Sequence, residues 1–310
     1  MIYDFNDLKE NGMMYGGHAG NELGVFINGE NWFLKFPQST RNLLRKVDIS
    51  YSTSSLSEYI GSHVYEIIGI PVHETLLGVK DNKVVVACRD FRINSIDFRF
   101  EDFNSIKNVY VQGLEEKLSS TISNMHMISL EEIMIIMDNN PLFLKDKSLK
   151  KRFWDMFIVD ALIGNNDRNN GNWGVIVNNK TGDTVVSPVF DNGASFNTKS
   201  SDEQISKILS DYNCFEDSVY KTRLCIFSLN GRQINPFEYM EKLENEDCNE
   251  ALVKLVPNIN LDKIKKFIYD IPNDFNGVFI ISDVRKEFYF KCLEYRYNKL
   301  CLMYEKLKNR

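Results

Sequence analysis

The sequence predicts an α+β fold in two lobes: a small β-rich lobe over residues 1–91 and a larger helical lobe over residues 92–310. Three observations predict it. Residues 23–36 and 72–91 are rich in β-branched, aromatic and other apolar residues and are punctuated by turn signals, of which Asn28-Gly29-Glu30 is the strongest. Between them, Leu56, Ile60, Val64, Ile67 and Ile68 recur at helical spacing. Beyond residue 92 helical patterns dominate, interrupted by one short β episode over residues 173–190.

Taken in order, residues 23–28 and 32–36 form a first hairpin, which Pro37 ends because proline has no N–H for a ladder. The helix over residues 54–68 is stopped by Gly69 and cannot continue through Pro71. Residues 72–79 and 83–91 make a second hairpin across Asp81-Asn82. In the second lobe, Ser129 and Glu132 form a capping-box pair opening a helix over residues 130–137. Residues 148–164 make a long amphipathic helix carrying Phe153, Trp154, Phe157, Ile158, Ala161 and Leu162. Strands over 173–177 and 184–190 flank a turn at 178–183, and a last helix runs over residues 283–308. The basic residues near the end, Arg296, Lys299, Lys306, Lys308 and Arg310, read as a solvated face.

Composition narrows the function classes. The net charge of −6 gives no general attraction for a phosphate backbone, so nucleic acid is not an expected partner. The six cysteines include no C-x-x-C pair and the four histidines are scattered, so a zinc site is not expected and a reduced, cytoplasmic chain is. The first residues lack a basic stretch followed by an apolar run, and no segment approaches the ~18 apolar residues of a membrane span.

The chemistry concentrates in Gly164-Asn165-Asn166-Asp167-Arg168-Asn169-Asn170-Gly171-Asn172-Trp173-Gly174, the loop after the long helix. Asp167 and Asn172 stand in a D-x-x-x-x-N arrangement, the spacing of a protein-kinase catalytic loop. A carboxylate there reaches an acceptor hydroxyl, and an amide oxygen further along reaches a metal. The hairpin that follows ends in Asp191-Asn192-Gly193, which puts a second carboxylate beside the loop. One Asp and one Asn suit Mg²⁺, which takes few carboxylates and keeps waters and phosphate oxygens. Upstream, residues 15–24 are glycine-rich, with Gly16, Gly17 and Gly20 as candidates to approach nucleotide phosphates. Lys35 follows on a strand, on the same face as Phe33. On the next helix Glu58 is the candidate partner for Lys35, with Glu66 too far along to share the task. Cys88, Arg89, Asp90 and Phe91 form the candidate adenine hinge. Each element alone is ordinary turn, strand or helix chemistry; their order carries the signal.

In that order the residues resemble the HipA-like kinases, and more closely their short variety. The segments bearing the likeness are Trp32-Phe33-Leu34-Lys35-Phe36-Pro37, Ser57-Glu58-Tyr59, His73-Glu74-Thr75-Leu76-Leu77-Gly78 and Val85-Val86-Ala87-Cys88-Arg89-Asp90-Phe91. Phe153-Trp154-Asp155-Met156-Phe157, Asp167 through Gly174 and Pro188-Val189-Phe190-Asp191 complete the set. The resemblance implies a protein-kinase-like fold and an ATP- and Mg²⁺-dependent serine/threonine kinase with autophosphorylation. It implies Lys35 on the nucleotide phosphates with Glu58 as its partner, Asp167 as catalytic base, and Asn172 and Asp191 as metal ligands; Arg168 receives no clear role. HipA toxins carry an extra N-terminal subdomain and a phosphorylated serine in the glycine-rich loop. This chain starts shortly before that loop, which leaves a HipA-type antitoxin partnership doubtful, and Gly16 to Gly24 contains no Ser or Thr. Tyr15 and the Ser/Thr-rich residues 50–57 are the alternative sites. A small-molecule phosphotransferase and a nucleotide-binding pseudokinase are the rival readings.

Overall fold

The computed structural model describes residues 1–13, 15, 22–41, 47, 49–92, 96–111 and 127–310. Five strands form the N-terminal sheet: β1 (Tyr3–Asp4), β2 (Glu22–Ile27), β3 (Glu30–Lys35), β4 (Thr75–Lys80) and β5 (Lys83–Arg89). Their order across the sheet is β1-β4-β5-β3-β2. Among the described residues of this sheet, only β1 and β4 pair parallel, with Tyr3 opposite Gly78. The β2–β3 turn uses positive φ at Asn28 and Gly29, the conformation that the Asn-Gly pair tolerates.

Strand alternation gives the sheet two different faces. Trp32, Leu34, Val85 and Ala87 point outward into a small core closed by Phe5 and Val25. Val86 and Cys88 point inward, toward helix α1 (Ser54–Ile68), whose Leu56, Ile60, Val64 and Ile68 are buried. Gly69 ends α1 in the left-handed conformation, φ 90°, and donates its N–H back to Glu66 and Tyr65.

The helical part is built around the central helix Ser148–Ile163, in which Phe153 through Ile163 are all buried. Such all-round burial explains why its apolar pattern outruns one amphipathic stripe. The terminal helix Asp283–Lys308 packs against it. Phe98–Asp102, Gly174–Asn178 and Thr184–Val186 form a three-stranded antiparallel sheet, which leads from Asp102 and Gly174 back to the Asp167 loop. Among the described residues no helix is long and apolar enough to cross a membrane.

Several expectations shift. The second hairpin starts at Thr75 rather than Val72, and Val72 instead makes a lone parallel bridge to Val189. The strand from Thr184 stops at Val186, before Pro188, which cannot donate to a ladder. The strand Phe98–Asp102 falls where helix was expected. Ser129 caps the helix Leu130–Asn139 by accepting from the N–H of Glu132, but the Glu132 side chain pairs with Lys107, so the reciprocal half of the capping box is missing. Arg296 is not on a solvated face: it is 4% exposed and lies beneath the end of the central helix.

Candidate active site

The inward face of β3 carries Phe33 and Lys35, and Lys35 Nζ lies 5.9 Å from the Phe33 ring centroid. From there Nζ reaches two carboxylates at once, Glu58 Oε2 at 3.1 Å and Asp191 Oδ1 at 2.8 Å. Glu58 is buried on α1. Its other oxygen accepts the Asn192 backbone N–H at 2.9 Å and lies 2.9 Å from His73 Nε2. Burial opposes the charge on Glu58, but Lys35, His73 and the Asn192 N–H outweigh it and hold the carboxyl well below its ordinary value. Burial likewise opposes the charge on Lys35, and the carboxylates of Asp191 and Glu58 reverse that and raise it. Glu66, two turns further along α1, is exposed and faces His63.

The loop after the central helix begins with Gly164 in the left-handed conformation, φ 70°. It is curled by its own amides. Asp167 N–H donates to Asn165 Oδ1 at 3.2 Å, Asn169 N–H to the Asp167 carbonyl at 2.7 Å, and Asn172 N–H to the Asn169 carbonyl at 3.0 Å. Asn172 Nδ2 donates to the Asp167 carbonyl at 3.0 Å, which leaves the amide oxygen as its uncommitted end. Solvent reaches Asp167, yet the protein mass around its carboxyl, and then the charge of Asp191, push its pKa above the ordinary 3.8.

Arg168 points the opposite way and is 2% exposed. Its Nε and Nη2 bond both oxygens of Asp160, at 2.8 and 3.0 Å. Nη2 also donates to Asn192 Oδ1 at 2.6 Å, while Nη1 serves the backbone carbonyls of Asn172 (3.2 Å) and Phe190. One guanidinium thus ties the central helix, the Asp167 loop and the Asp191 segment together. Tyr65 on α1 joins by donating to Asp160 Oδ1 at 2.7 Å.

Asp191 sits at positive φ, 60°, just beyond Val189 and Phe190. Phe190 packs on Phe91 and Phe100, with centroids 5.2 and 5.6 Å away, so the segment after β5 and the Asp191 segment share one aromatic cluster. Asp191 turns its carboxylate to Lys35 and is partly exposed, whereas Asn192 is fully buried and donates to Ser62 Oγ at 3.0 Å.

Among the expected cofactor-binding positions, Gly16, Gly17 and Gly20 lie outside the described residues. Cys88 faces inward and is buried, and burial, with Glu58 nearby, pushes its thiol well above the usual range. Arg89 shares the outward parity of Val85 and Ala87, and its side chain pairs with Glu30 and Glu74 on the exposed side. Asp90 donates its N–H to the Asn31 carbonyl at 3.0 Å and its carboxylate holds Arg92 at 2.9 Å. The Arg89 side chain therefore lies on the opposite face of the sheet from Lys35. Tyr15 stacks on Phe33 at 4.7 Å between centroids.

Asp160, His73, Asn192 and the bracing role of Arg168 escape the sequence reading. The available signal was chemical mismatch: Asp160 is a carboxylate within an apolar helix run, and such a charge needs a buried partner. The donors fit a hard divalent cation. Asp191 supplies a half-exposed carboxylate and Asn172 a free amide oxygen, with no thiolate between them. Glu58, His73 and Cys88 also bring donor atoms within 4.8 Å of one another, but Glu58 is engaged by Lys35, so this buried cluster is the rear wall of the cleft.

A strand lysine held by a helix glutamate, facing a D-x-x-x-x-N loop and a strand-end aspartate, defines a kinase fold. Residues 22–224 match the model of the HipA-like C-terminal domain, and the chain belongs to that family. It is similar to the serine/threonine-protein kinase CtkA of Helicobacter pylori strain J99, being 32% identical over 287 residues that cover 92% of this chain and 82% of CtkA. The crystal structure of H. pylori proinflammatory kinase CtkA superposes with a TM-score of 0.85 at 30% identity, over 99% of both chains. HipA of Shewanella oneidensis, solved with HipB and operator DNA, has a TM-score of 0.56 at 12% identity over 98% of this chain and 70% of its own, a likeness of fold. By family and fold the chain is a kinase.

Proposed function

We propose that this chain is an ATP- and Mg²⁺-dependent kinase that phosphorylates serine or threonine hydroxyls of proteins, itself included. The observation that carries the reading is Lys35, whose ammonium is met by Glu58 from its own lobe and by Asp191 from 156 residues away. In this reading residues 1–91 bind the nucleotide and residues 92–310 supply the catalytic groups. Lys35 holds the phosphates, and Glu58 keeps Lys35 in place through a buried bond that water does not screen. Asp191 and Asn172 would hold Mg²⁺, which when bound neutralises charge on the phosphate oxygens. Asp167 orients the acceptor hydroxyl and takes its proton, a role its raised pKa favours over that of an ordinary carboxylate.

Self-phosphorylation within residues 50–57 would fall on the more exposed positions. Ser52, Ser55 and Ser57 are buried, and Ser57 Oγ donates to the Ser195 carbonyl at 2.9 Å. Ser50 and Tyr51 are exposed, and Thr53 and Ser54 are partly so. The acceptor is a protein hydroxyl; neither nucleic acid nor a membrane enters the reading, and a HipA-type antitoxin is not invoked.

The test incubates purified protein with Mg²⁺ and γ-labelled ATP, with myelin basic protein as a generic acceptor, beside Asp167→Asn. We expect label on both proteins, reduced by about 10²–10⁴-fold in the variant. ATP binding without label in wild type would overturn the protein-kinase reading, and label on a sugar or antibiotic alone would replace it with small-molecule transfer.

A further inference from the structure

A cavity of about 430 Å³ opens behind the first turn of α1, and none of Lys35, Asp167, Asn172 or Asp191 lines it. Its walls include the β4–β5 turn, residues 278–280 and the start of the helix Asp202–Ser210. We propose that it binds a phosphate monoester carried on an apolar body.

The argument begins with Arg285. This residue lines the cavity, is 5% exposed, and has an Nη1 that makes no well-directed hydrogen bond, although the Tyr289 side chain lies beside the guanidinium. Its Nη2 is engaged, by Asp202 at 2.6 Å and the Ser200 carbonyl at 2.8 Å. A buried guanidinium arm without an acceptor is costly, and an anionic ligand supplies the acceptor.

The second observation is independent. The N-terminus of α1 faces the same cavity through Thr53 and Ser55, and it is open: Thr53 provides no side-chain cap and the first turn has no acidic residue. The Thr53 hydroxyl is instead 3.1 Å from the hydroxyl of Tyr289, next to Arg285. The neighbouring helix Asp202–Ser210, by contrast, is closed by a complete Ser201–Gln204 capping box. Uncapped amides and the positive end of the helix dipole favour an anion.

Lys83 adds a second cation to the lining, its ammonium 5.2 Å from the Tyr51 ring centroid. Against these stand Asp202, already neutralised by Arg285, and Glu203. The remaining surface is apolar, including Leu56, Val84 and Ile280. Clustered donors around a polar end suit the three oxygens of a phosphate, and the apolar walls suit the group that carries it.

Occupancy would reach the catalytic cleft by a short path. Ser55 Oγ, on the cavity wall, donates to the backbone carbonyl of Lys35 at 3.2 Å, and Glu58 stands three residues further along the same helix. A ligand that orders this first turn therefore steadies both members of the Lys35–Glu58 pair.

The test is calorimetric titration of the full chain with phenyl phosphate, with phenol as the uncharged control and Arg285→Gln, Lys83→Gln and Lys35→Met as variants. We expect one site in wild type and in Lys35→Met, with binding at least about tenfold weaker in Arg285→Gln and a few-fold weaker in Lys83→Gln. Should Arg285→Gln fail to fold, Arg285→Lys, which keeps the charge and loses the fork, carries the same test. Loss of binding in Lys35→Met with none in Lys83→Gln would assign the phosphate to the catalytic cleft and overturn the proposal. Equal binding of phenol, or no binding of phenyl phosphate, would also overturn it. Prior incubation with ATP and Mg²⁺ separates the sources. Lost capacity with phosphate on Ser50 or Tyr51 identifies the chain's own side chain as occupant, and unchanged capacity identifies a free molecule. The titration needs no catalysis, so its failure leaves the kinase reading standing.

Discussion

Two charged clusters meet at Asn192, and they differ in what they leave open. In the rear cluster Arg168 and Asp160 have side chains only 2% and 4% exposed, and the five N–H donors of the guanidinium are matched by five bonds. In the front cluster Lys35 and Asp191 are 19% and 41% exposed and meet through a single contact of 2.8 Å. A fully matched buried pair cannot accept another ligand without breaking. A half-exposed pair leaves an ammonium and a carboxylate within reach of solvent. In the proposed function the front cluster is the working site and the rear cluster its strut.

Four substitutions test that division. The largest effect on activity belongs to the front: Asp191→Ala should reduce phosphoryl transfer to background while changing stability by no more than about 1 kcal/mol, because its ion pair is partly solvated. A thermal melt beside the labelling assay checks both halves. The rear should behave inversely. Arg168→Ala strands the Asp160 carboxylate and should cost about 3–5 kcal/mol in denaturant unfolding, with activity lost only through unfolding. A variant that stays folded but inactive would move Arg168 into the working site.

Glu58 bridges the two clusters and gives a smaller, pH-dependent signature. Its folded pKa is held below the ordinary 4.5, so its contribution to stability is complete above that value and is lost as pH falls toward the folded one. Glu58→Gln should therefore be less stable than wild type at neutral pH, with the gap narrowing below pH 4.5. A gap that is constant with pH would show that packing, not charge, sets the loss. The smallest effect is expected at Arg89→Ala. Its ion pairs are exposed, so unfolding should shift by under about 1 kcal/mol, and the KM for ATP should stay within about twofold. A larger rise in KM would return the Arg89 side chain to the nucleotide site.

The proposed working site could be read in the chain because its logic is local. Asp167 and Asn172 are separated by a fixed spacing within one loop, and Asp191 follows a hairpin whose turn residues are visible in the chain. Lys35 could be assigned a face from strand alternation alone. The strut was illegible because its members gain meaning only from burial. Asp160 and Arg168 are eight residues apart, but nothing in that spacing says that both are sealed from water with Asn192 and Tyr65 as partners. Arg296 failed for the related reason that the basic content of a helix describes its average face, and one arginine on the minority face was lost in it. The strand Phe98–Asp102 was missed because its partner, Gly174–Asn178, lies more than seventy residues away.

That buried Arg296 has a consequence for how the Asp167 loop responds to distant change. It donates to the carbonyls of Leu162 and Val219, and its guanidinium lies where any side chain at position 164 would fall, only 2.6 Å from a β-carbon placed there. The turn that launches the Asp167 loop is thus propped from below by the terminal helix, through an arginine 134 residues along the chain from the carbonyl it holds. A disturbance of that helix would therefore be felt at the Asp167 loop, and a side chain forced in at position 164 would be felt at the helix.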